Sequence, residues 1–367
     1  MRIALLSGAY KNAGDFLIVQ RCCALISYVY PNCVITQIPR NKDLSEKLTE
    51  VNESDVIVLA GGPALRYNVY PDIIPLVPNL QDIKPPIFAM ALGLGGSGGK
   101  RSLLEYSFGK SSNVLWQRIN EDGFAIGCRD VNSADVMRRN GFTSVMTGCA
   151  AWYDFDEKSS KSERVKKIVV SDPESPSNYN AALNLLRYLQ ERFRDSEITV
   201  IFHRGTDSDS YTSIKRGERL RWFTSEIEKL GIHYKDISYS MDGFQIYDDC
   251  FMHIGFRVHA HIYALSKRLQ SILISEDIRG DSFNETIGFP SVRTNSEEYL
   301  ALKSKYLKKA YKSLFDANNR YLLEEIDSVI EHIERTDGEI YKWAFTRMQF
   351  YLNSMIAHVK TIESVIK

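Results

Sequence analysis

The 367-residue chain lacks several features that would assign it to a class directly. No run of about 18 apolar residues occurs, so no membrane-spanning helix is expected. Its 46 Lys and Arg balance 46 Asp and Glu, and a chain without net charge has no overall field that attracts nucleic acid. The six cysteines include no C-x-x-C pair and no paired His spacing. That pattern argues against a zinc site and against a disulfide framework.

Common phosphate-binding and nucleophile motifs are also missing. The loop at residues 8–15 has neither the G-x-G-x-x-G spacing of a dinucleotide site nor the Lys-Ser/Thr ending of a P-loop. No G-x-S-x-G elbow is present. The first residues form too brief an apolar run for a signal peptide. We therefore expect a cytoplasmic protein.

Apolar segments alternate with helical patterns through most of the chain. Strands are predicted at residues 2–7, 33–38, 55–60, 86–93, 123–128 and 144–147, and again at 167–171, 197–203, 233–237, 250–255 and 271–275. These segments are apolar without alternation, which is typical of parallel sheets that helices cover on both faces. The sequence therefore predicts an α/β fold with two Rossmann-like doubly wound domains that face a cleft.

Three parts of the chain are predicted. They are an N-terminal domain at 1–160, a C-terminal domain at 165–295 and a helical C-terminal extension at 296–367. The polar residues 157–167 have little to bury and form the predicted linker. The extension has apolar residues at three- and four-residue steps, with helices predicted over 297–315, 318–333 and 338–366. Its apolar stripes fit either a return across the N-terminal domain or the interface of a homo-oligomer.

Charged residues and glycines stand directly after many predicted strands. These positions are the loop 8–15, Gly61–Gly62 at the end of the third strand, the glycine-rich loop 93–99, Arg129, His203, Arg204, Arg257, His259, Asp277 and Arg279. Ligands of open parallel sheets bind outside the carboxyl ends of the strands. The positions therefore predict one ligand site in the cleft.

Arg257 and His259 are the residues most suited to chemistry. They stand two apart where an apolar segment turns into a helix. Arg offers a planar, permanently charged fork for carboxylate or phosphate. His is the side chain best placed to give or take a proton near neutral pH. The alternative interpretation is a buried His beside a structural Arg.

Other motifs also have a structural interpretation. Asp15 suits a helix cap, and Arg129-Asp130 with Ser133 suits a salt bridge followed by a helix N-cap. The Lys-rich run at 303–312 fits either a solvated helix face or a peripheral contact with a membrane surface.

Taken in order, the motifs resemble those of the polysaccharide pyruvyl transferase family. The matching residues are Gly8, Asn12, Gly14 and Asp15 in the N-terminal loop, Gly61–Gly62, then Arg129, Asp130 and Ser133, then Gly255, Arg257, His259 and Ala260, and finally Asp277 and Arg279. The resemblance covers roughly residues 1–290. It implies a two-domain fold similar to GT-B glycosyltransferases, with the acceptor on the N-terminal side and the donor on the C-terminal side.

The resemblance also implies an activity. A pyruvyl group would pass from phosphoenolpyruvate to a sugar of a cell-surface polysaccharide or its precursor, forming a pyruvate ketal without metal or cofactor. The implied partners are phosphoenolpyruvate and a sugar or lipid-linked oligosaccharide acceptor, with no nucleic acid. A lipid-linked acceptor would bring the protein to the inner face of the membrane.

The resemblance further implies roles for particular residues. Arg257 would hold phosphoenolpyruvate and His259 would act as general acid. The implied substrate-binding residues are Asn12, Asp15, Gly62, Arg129, His203, Arg204, Asp277 and Arg279. Asp172 stands where an Arg is often expected, so one contact with phosphoenolpyruvate would be missing. Two alternatives stay open: a GT-B glycosyltransferase that uses a nucleotide sugar, and a non-catalytic glycan-binding protein that has lost its donor site.

Overall fold

The computed structural model describes residues 1–95, 103–155, 165–314, 316 and 319–366. Residues 96–99 of the glycine-rich loop and 157–164 of the predicted linker lie outside these ranges. Across the described ranges, twelve strands form two six-stranded sheets in which neighbouring strands run parallel, as the apolar strand pattern predicts.

The first sheet has the strand order β2-β1-β3-β4-β5-β6. Its strands are β1 (Arg2–Ser7), β2 (Val34–Pro39), β3 (Val56–Leu65), β4 (Ile87–Leu94), β5 (Ile126–Cys128) and β6 (Ser144–Met146). Helices α1 (Ala13–Val29), α2 (Leu48–Asn52), α3 (Lys110–Glu121) and α4 (Val131–Arg139) connect them. All residues of β4 are buried, so this central strand is covered on both faces.

The second sheet has the strand order β12-β11-β10-β7-β8-β9. Its strands are β7 (Val165–Ser171), β8 (Glu197–Phe202), β9 (His233–Asp236), β10 (Cys250–Gly255), β11 (Gln270–Ser275) and β12 (Val292–Arg293). Helices α5 (Tyr179–Arg192), α6 (Ile214–Lys229), α7 (Val258–Ser266) and α8 (Ile278–Ile287) connect them. Short 3-10 helices lie at Ser45–Lys47, Leu80–Asp82, Ala150–Trp152, Pro176–Asn178 and Asp242–Tyr247.

The C-terminal extension contains α9 (Glu297–Ala301), α10 (Lys305–Leu314), α11 (Arg320–Arg335) and α12 (Glu339–Ile366). The prediction of one helix over 297–315 was wrong, because the chain leaves the helical conformation between α9 and α10. The long helix α12 returns to the N-terminal sheet. His358 Nε2 donates to the carbonyl of Ala89 at 3.0 Å, and Ser354 donates to the carbonyl of Met146 at 2.7 Å.

The glycine pair does not end β3. The strand continues to Leu65, although Gly61 and Gly62 have φ values of 51° and 81°. These left-handed conformations favour glycine, and the pairing with β4 shifts register between Gly62 and Leu65. The prediction of a strand end at Gly61 was wrong, because two glycines bend the chain here without ending the ladder.

Two helices begin at aspartates. Asp130, rather than Ser133, is the N-cap of α4, because its Oδ1 accepts from the Ser133 amide at 2.8 Å. Asp277 caps α8 by accepting from the Arg279 amide at 2.9 Å. The charged segment 276–281 therefore begins a helix.

Candidate active site in the interdomain cleft

A cavity of about 360 Å³ lies where the carboxyl ends of the two sheets meet. Its lining residues follow β1, β3, β5, β7, β8, β10 and β11. They are Asn12, Asp15, Pro63, Arg66, Arg129, Glu174, His203, Arg204, Phe256, Arg257, Val258, His259, Glu276, Asp277, Arg279 and Gly280. A volume of this size is within the range of small-molecule sites.

Nine of the ten site residues predicted from the sequence line this cavity. They are Asn12, Asp15, Arg129, His203, Arg204, Arg257, His259, Asp277 and Arg279. Gly62 is not part of the lining. It faces Arg40, whose Nη1 donates to the carbonyl of Gly61 at 3.0 Å.

The loop 8–15 begins α1 and crosses to the second sheet. The amide of Ala13 donates to the carbonyl of His203 at 2.9 Å, and the Tyr239 amide donates to the carbonyl of Lys11 at 2.7 Å. The buried Lys11 ammonium donates to Asp209 at 2.5 Å and to Thr212 at 2.6 Å. The loop therefore ties the two halves of the cleft together.

Gly14 brings α1 against the ring of His259. A Cβ atom on Gly14 would lie 2.1 Å from His259 Nδ1, which is far inside contact distance. Gly93 makes a similar approach to Arg129, because its Cβ would lie 1.9 Å from Arg129 Nε. Both glycines thus leave space that the side chains of the site occupy.

His259 is neutral in this environment. Burial above all, together with the charges of Arg129, Arg279 and Arg257, lowers its pKa to about 3. Its Nε2 atom is buried and has no hydrogen-bond partner in the described part of the chain. A buried ring nitrogen without a partner is costly, so it is available to bond a ligand.

Arg257 is saturated by carboxylates. Its Nε and Nη2 donate to the two oxygens of Asp172 at 2.8 and 2.5 Å, and its Nη1 donates to Glu174. Burial alone would lower the pKa of Arg257, but the two carboxylates raise it well above its ordinary value. Its backbone amide donates to Ser171 Oγ at 3.1 Å, which fixes the start of α7.

Glu174 is shared by three arginines. Besides Arg257, it accepts from Arg204 at 3.2 Å and from Arg216 at 3.0 Å. Burial alone would raise its pKa, but the three guanidinium groups lower it to about 2. Asp172 and Glu276 also act on Arg257, so three carboxylates face these three guanidinium groups.

The remaining arginines of the cavity differ in their partners. Arg279 Nε donates to both carboxylate oxygens of Asp277, at 2.9 and 2.8 Å. Arg129 contacts Asp130 at 3.3 Å. Arg66 is exposed and has no hydrogen bond or ion pair with any residue in the described ranges.

Asp15 lies opposite these cations. Burial raises its pKa, and Arg40, the Asn12 side chain, Arg204 and Arg279 act in the opposite direction. His203, also in the lining, is fully buried, and its Nε2 lies 2.7 Å from the Tyr247 hydroxyl. Burial lowers the pKa of His203 well below its usual range.

A buried chain of hydrogen bonds supports the floor of the site. His253 Nε2 lies 2.9 Å from Ser171 Oγ, and its Nδ1 lies 2.7 Å from Ser271 Oγ. His261 Nδ1 also lies 2.7 Å from Ser271 Oγ. These groups join β7, β10, β11 and α7, and thereby hold Arg257 in place.

Three charged residues of the lining were missed by the sequence analysis. Glu174 follows β7 by three residues, so the rule that links sites to strand ends also applied to it. Arg66 follows β3 directly, but the predicted end of this strand at residue 60 concealed its position. Glu276 stood within the charged segment after β11. Its carboxylate accepts from the amides of Glu174 and Ser175 at 2.7 and 3.0 Å.

The comparison with protein families identifies the chain. The family described as polysaccharide pyruvyl transferase matches residues 12–278, so the chain belongs to that family and the resemblance is confirmed. Its members are transferases of polysaccharide biosynthesis. No curated protein sequence matches that of the chain.

Solved structures show what the fold is similar to. The crystal structure of UDP-GlcNAc 2-epimerase from Neisseria meningitidis bound to UDP-GlcNAc is 10% identical, with 94% of each chain covered and a TM-score of 0.51. The wall teichoic acid polymerase TagF is 12% identical, with 100% of this chain and 88% of that chain covered and a TM-score of 0.50. At such identities the likeness concerns the fold alone, and it confirms the predicted GT-B-like architecture.

Proposed function

We propose that the protein transfers a pyruvyl group from phosphoenolpyruvate to a sugar of a cell-surface polysaccharide or its precursor, forming a pyruvate ketal. The observation that carries the proposal is that five arginines line one cavity together with His259, whose buried Nε2 has no partner in the described part of the chain. Phosphoenolpyruvate carries a phosphate and a carboxylate, and Arg forks suit both groups. Membership of the family supports this donor.

The first step is a proton transfer. His259 in its protonated form gives its proton to the methylene carbon of the enol, which makes that carbon a methyl group. The neighbouring carbon then has oxocarbenium character, and a sugar hydroxyl adds to it. That hydroxyl loses its proton as the new C–O bond forms.

The second step releases phosphate. The C–O bond to phosphate breaks, and a second hydroxyl of the same sugar adds to the carbon and closes the ketal. One of the two hydroxyl protons restores protonated His259, and the other leaves with phosphate. Arginines around the departing group stabilise its charge.

The charge state of His259 follows from the ligand. Without ligand, the pKa of His259 is about 3, so near neutral pH the ring is uncharged and lacks the acidic proton of an imidazolium. A phosphate and a carboxylate beside the ring supply the opposite charge, which raises the pKa of a cation-forming group. In this proposal, binding of the donor causes His259 to become protonated, so that it can act as the general acid.

Glu174 marks where the donor binds. Its carboxylate sits among Arg204, Arg216 and Arg257, which is the environment that a substrate carboxylate or phosphate needs. We infer that the donor displaces Glu174 from these arginines. Asp172 stays paired with Arg257. It stands where an arginine is often expected, and in place of a second arginine contact it orients Arg257 toward the donor.

Thermal stabilisation tests the donor. A ligand that binds only the folded state raises the melting temperature. Phosphoenolpyruvate should do so, and more than inorganic phosphate or UDP-GlcNAc at equal concentration. His259→Gln should keep this stabilisation but abolish phosphate release in the presence of methyl glycosides of glucose, galactose and N-acetylmannosamine.

His233→Gln is the matched control, because His233 is exposed at the start of β9. It should behave as the unchanged protein in both measurements. Stabilisation by UDP-GlcNAc without any by phosphoenolpyruvate would instead identify a nucleotide-sugar glycosyltransferase.

One observation favours a second candidate function, a non-catalytic glycan-binding protein. Every guanidinium nitrogen of Arg257 already donates to a carboxylate of Asp172 or Glu174. If this pairing is permanent, the donor has no access to Arg257. No stabilisation by phosphoenolpyruvate in either the unchanged protein or Glu174→Gln would support this second function.

A contact with the membrane surface is also proposed. In the described ranges, no helix combines the length and apolar character needed to span a bilayer. On α10, however, Tyr306, Leu307 and Leu314 are 86%, 56% and 73% exposed. The same helix carries Lys309 and Lys312, and apolar side chains beside lysines are typical of helices that bind anionic membranes.

Vesicle flotation tests this contact. The protein should float with vesicles of phosphatidylcholine and phosphatidylglycerol but not with phosphatidylcholine alone. Replacing Tyr306, Leu307 and Leu314 with Ser should abolish flotation without lowering the melting temperature. Equal flotation of the substituted protein would exclude α10 as the contact.

A further inference from the structure

A second cavity of about 740 Å³ lies on the C-terminal half, apart from the cleft. It is a groove between α5, α6 and the segment that leads through α9 and α10. We name it the amide groove, after Asn180, Asn184, Asn295 and Asn319, which line it together with Trp222 and Glu226. Neither its position nor its composition belongs to the site described above.

Helical spacing places the groove residues in two rows. Asn180 and Asn184 are four apart on α5, and Trp222 and Glu226 are four apart on α6, so each pair shares one face of its helix. Trp222 is 45% exposed. No aromatic ring or cation in the described ranges packs on it, so one large apolar face is open to the groove.

The amide side chains are partly fixed and partly free. Asn184 Nδ2 donates to Asn319 Oδ1 at 3.0 Å, and Arg187 Nη1 donates to Asn184 Oδ1 at 2.9 Å. The orientation of Asn184 is thereby set. Asn180 has no side-chain hydrogen bond within the described residues, so its amide offers both a donor and an acceptor.

This combination suits a sugar. Each hydroxyl of a sugar ring is both donor and acceptor, which matches the amide group, and the C–H face of the ring packs flat on an aromatic side chain. A hydrophobic ligand would leave the amides unpaired, and unpaired buried polar groups are costly.

The charges in the groove indicate a neutral ligand. The lining holds two cations, Arg187 and Lys312, and two carboxylates, Glu226 and Asp316. Lys312 pairs with Asp316, whereas Glu226 pairs with Lys229 outside the lining. A phosphate or an acidic polymer would therefore meet no net positive charge. This balance separates the groove from the arginine-rich cleft.

The amide groove adjoins the cleft. Ser177 and Asn178 line the groove, whereas Glu174, four residues before Asn178, lines the cleft. Asn178 Nδ2 donates to Glu276, another cleft residue, at 2.6 Å. An extended chain of four residues spans at most about 14 Å, so the two linings approach each other within the length of a short oligosaccharide.

We propose that the amide groove binds neutral sugar units of a polysaccharide, remote from the unit that reacts in the cleft. Trp222 stacks on one ring, and Asn180 and Asn184 bond its hydroxyls. That the bound glycan is the acceptor rests on the proposed function, whereas binding of a neutral oligosaccharide to this groove does not.

Saturation-transfer NMR with defined oligosaccharides tests the groove in the absence of any donor. The probes are gluco-, galacto- and N-acetylglucosamine oligomers of increasing length. At least one series should bind with an affinity that rises with length. Trp222→Ala should weaken that binding about tenfold, and Asn180→Ala should weaken it by a smaller factor.

Trp343→Ala is the matched control. Trp343 is 63% exposed on α12 and lies outside the groove lining, so its replacement should leave the affinity unchanged. Exposed side chains are replaced in all three variants, and unchanged melting temperatures should establish that each one folds.

Two results would overturn the proposal: no series binds the unchanged protein, or Trp222→Ala binds the oligosaccharides as tightly as Trp343→Ala does. Failure of the proposed transferase activity can be distinguished from failure of the groove proposal. If the protein binds oligosaccharides in a manner that depends on Trp222 but releases no phosphate from phosphoenolpyruvate, the groove proposal holds and the proposed transferase activity is contradicted.

Discussion

Arg257 and Asp172 form a two-pronged ion pair, in which Nε and Nη2 of the guanidinium donate to the two carboxylate oxygens. The side chains are 9% and 2% exposed, so each charge relies on the other. The strand pairing between β7 and β10 brings them together, since Ser171 is the register partner of Gly255. A carboxylate is thus paired with Arg257, the residue that the family resemblance implies for binding phosphoenolpyruvate.

Asp172→Asn should reduce the free energy of unfolding by about 3 kcal/mol, because it leaves a buried guanidinium without its main counter-charge. Denaturant unfolding followed by circular dichroism would measure this. Asp207→Asn is the control, because Asp207 pairs with Arg221 at the surface, where both side chains are about half exposed. It should cause no measurable change. An equally small effect of Asp172→Asn would show that the pair contributes little.

Glu174→Gln should raise the affinity for phosphoenolpyruvate by about tenfold. The donor no longer has to break a charge-assisted contact between Glu174 and an arginine, and one such contact is worth about this factor. Isothermal titration calorimetry would measure the affinity. Glu218→Gln, on the exposed face of α6, should leave it unchanged. Weaker binding by Glu174→Gln would mean that the carboxylate positions the arginines for the ligand and does not compete with it.

Binding of phosphoenolpyruvate at pH 7 should take up protons. The pKa of His259 is about 3 without ligand, and an anion beside the ring raises it. Titrations in buffers with different ionisation enthalpies would detect the uptake as a buffer-dependent heat. The uptake should vanish in His259→Gln and persist in His233→Gln. If the heat of binding is the same in every buffer, donor binding does not protonate His259.

The protein should lose stability as the pH falls below about 6.5. Burial lowers the pKa of His253 to about 3. Burial also lowers the pKa of His358 to about 4, although its hydrogen bond to the Ala89 carbonyl acts in the opposite direction. Between the ordinary value of 6.5 and these values, the unfolded chain binds protons that the folded chain excludes.

The free energy of unfolding should therefore rise with pH across that window, by up to about 2 kcal/mol per buried histidine between pH 5 and 6.5. Denaturant titrations at both pH values would measure the change. His358→Gln should reduce the pH dependence, and His233→Gln should not. A stability that is flat across this range would mean that the histidines become charged without unfolding.

Much of the fold was predictable because parallel strands have a local signature. Continuous apolar segments such as β4 are required when both faces of a strand are buried. The same logic predicted residues that line one cavity, since ligands of such sheets bind at the carboxyl ends of strands. Arg257, His259 and seven further residues were found in this way.

The partners of those residues were less predictable. Asp172 and Arg257 are 85 residues apart, and only the register of β7 against β10 shows that they meet. The break between α9 and α10 falls at Leu302-Lys303-Ser304, which contains neither Pro nor Gly. The apolar spacing continues across it, so the sequence pattern gave no sign of the break.

The placement of α12 also affects the order in which the protein can fold. This helix covers the first sheet, where His358 stacks on Phe88 with ring centroids 4.4 Å apart, and Tyr341 contacts Ser271 of the second sheet. A ribosome completes residues 1–146 long before residues 339–366. The first sheet therefore leaves the ribosome with part of its apolar surface uncovered, and this surface stays exposed to water until α12 docks on it.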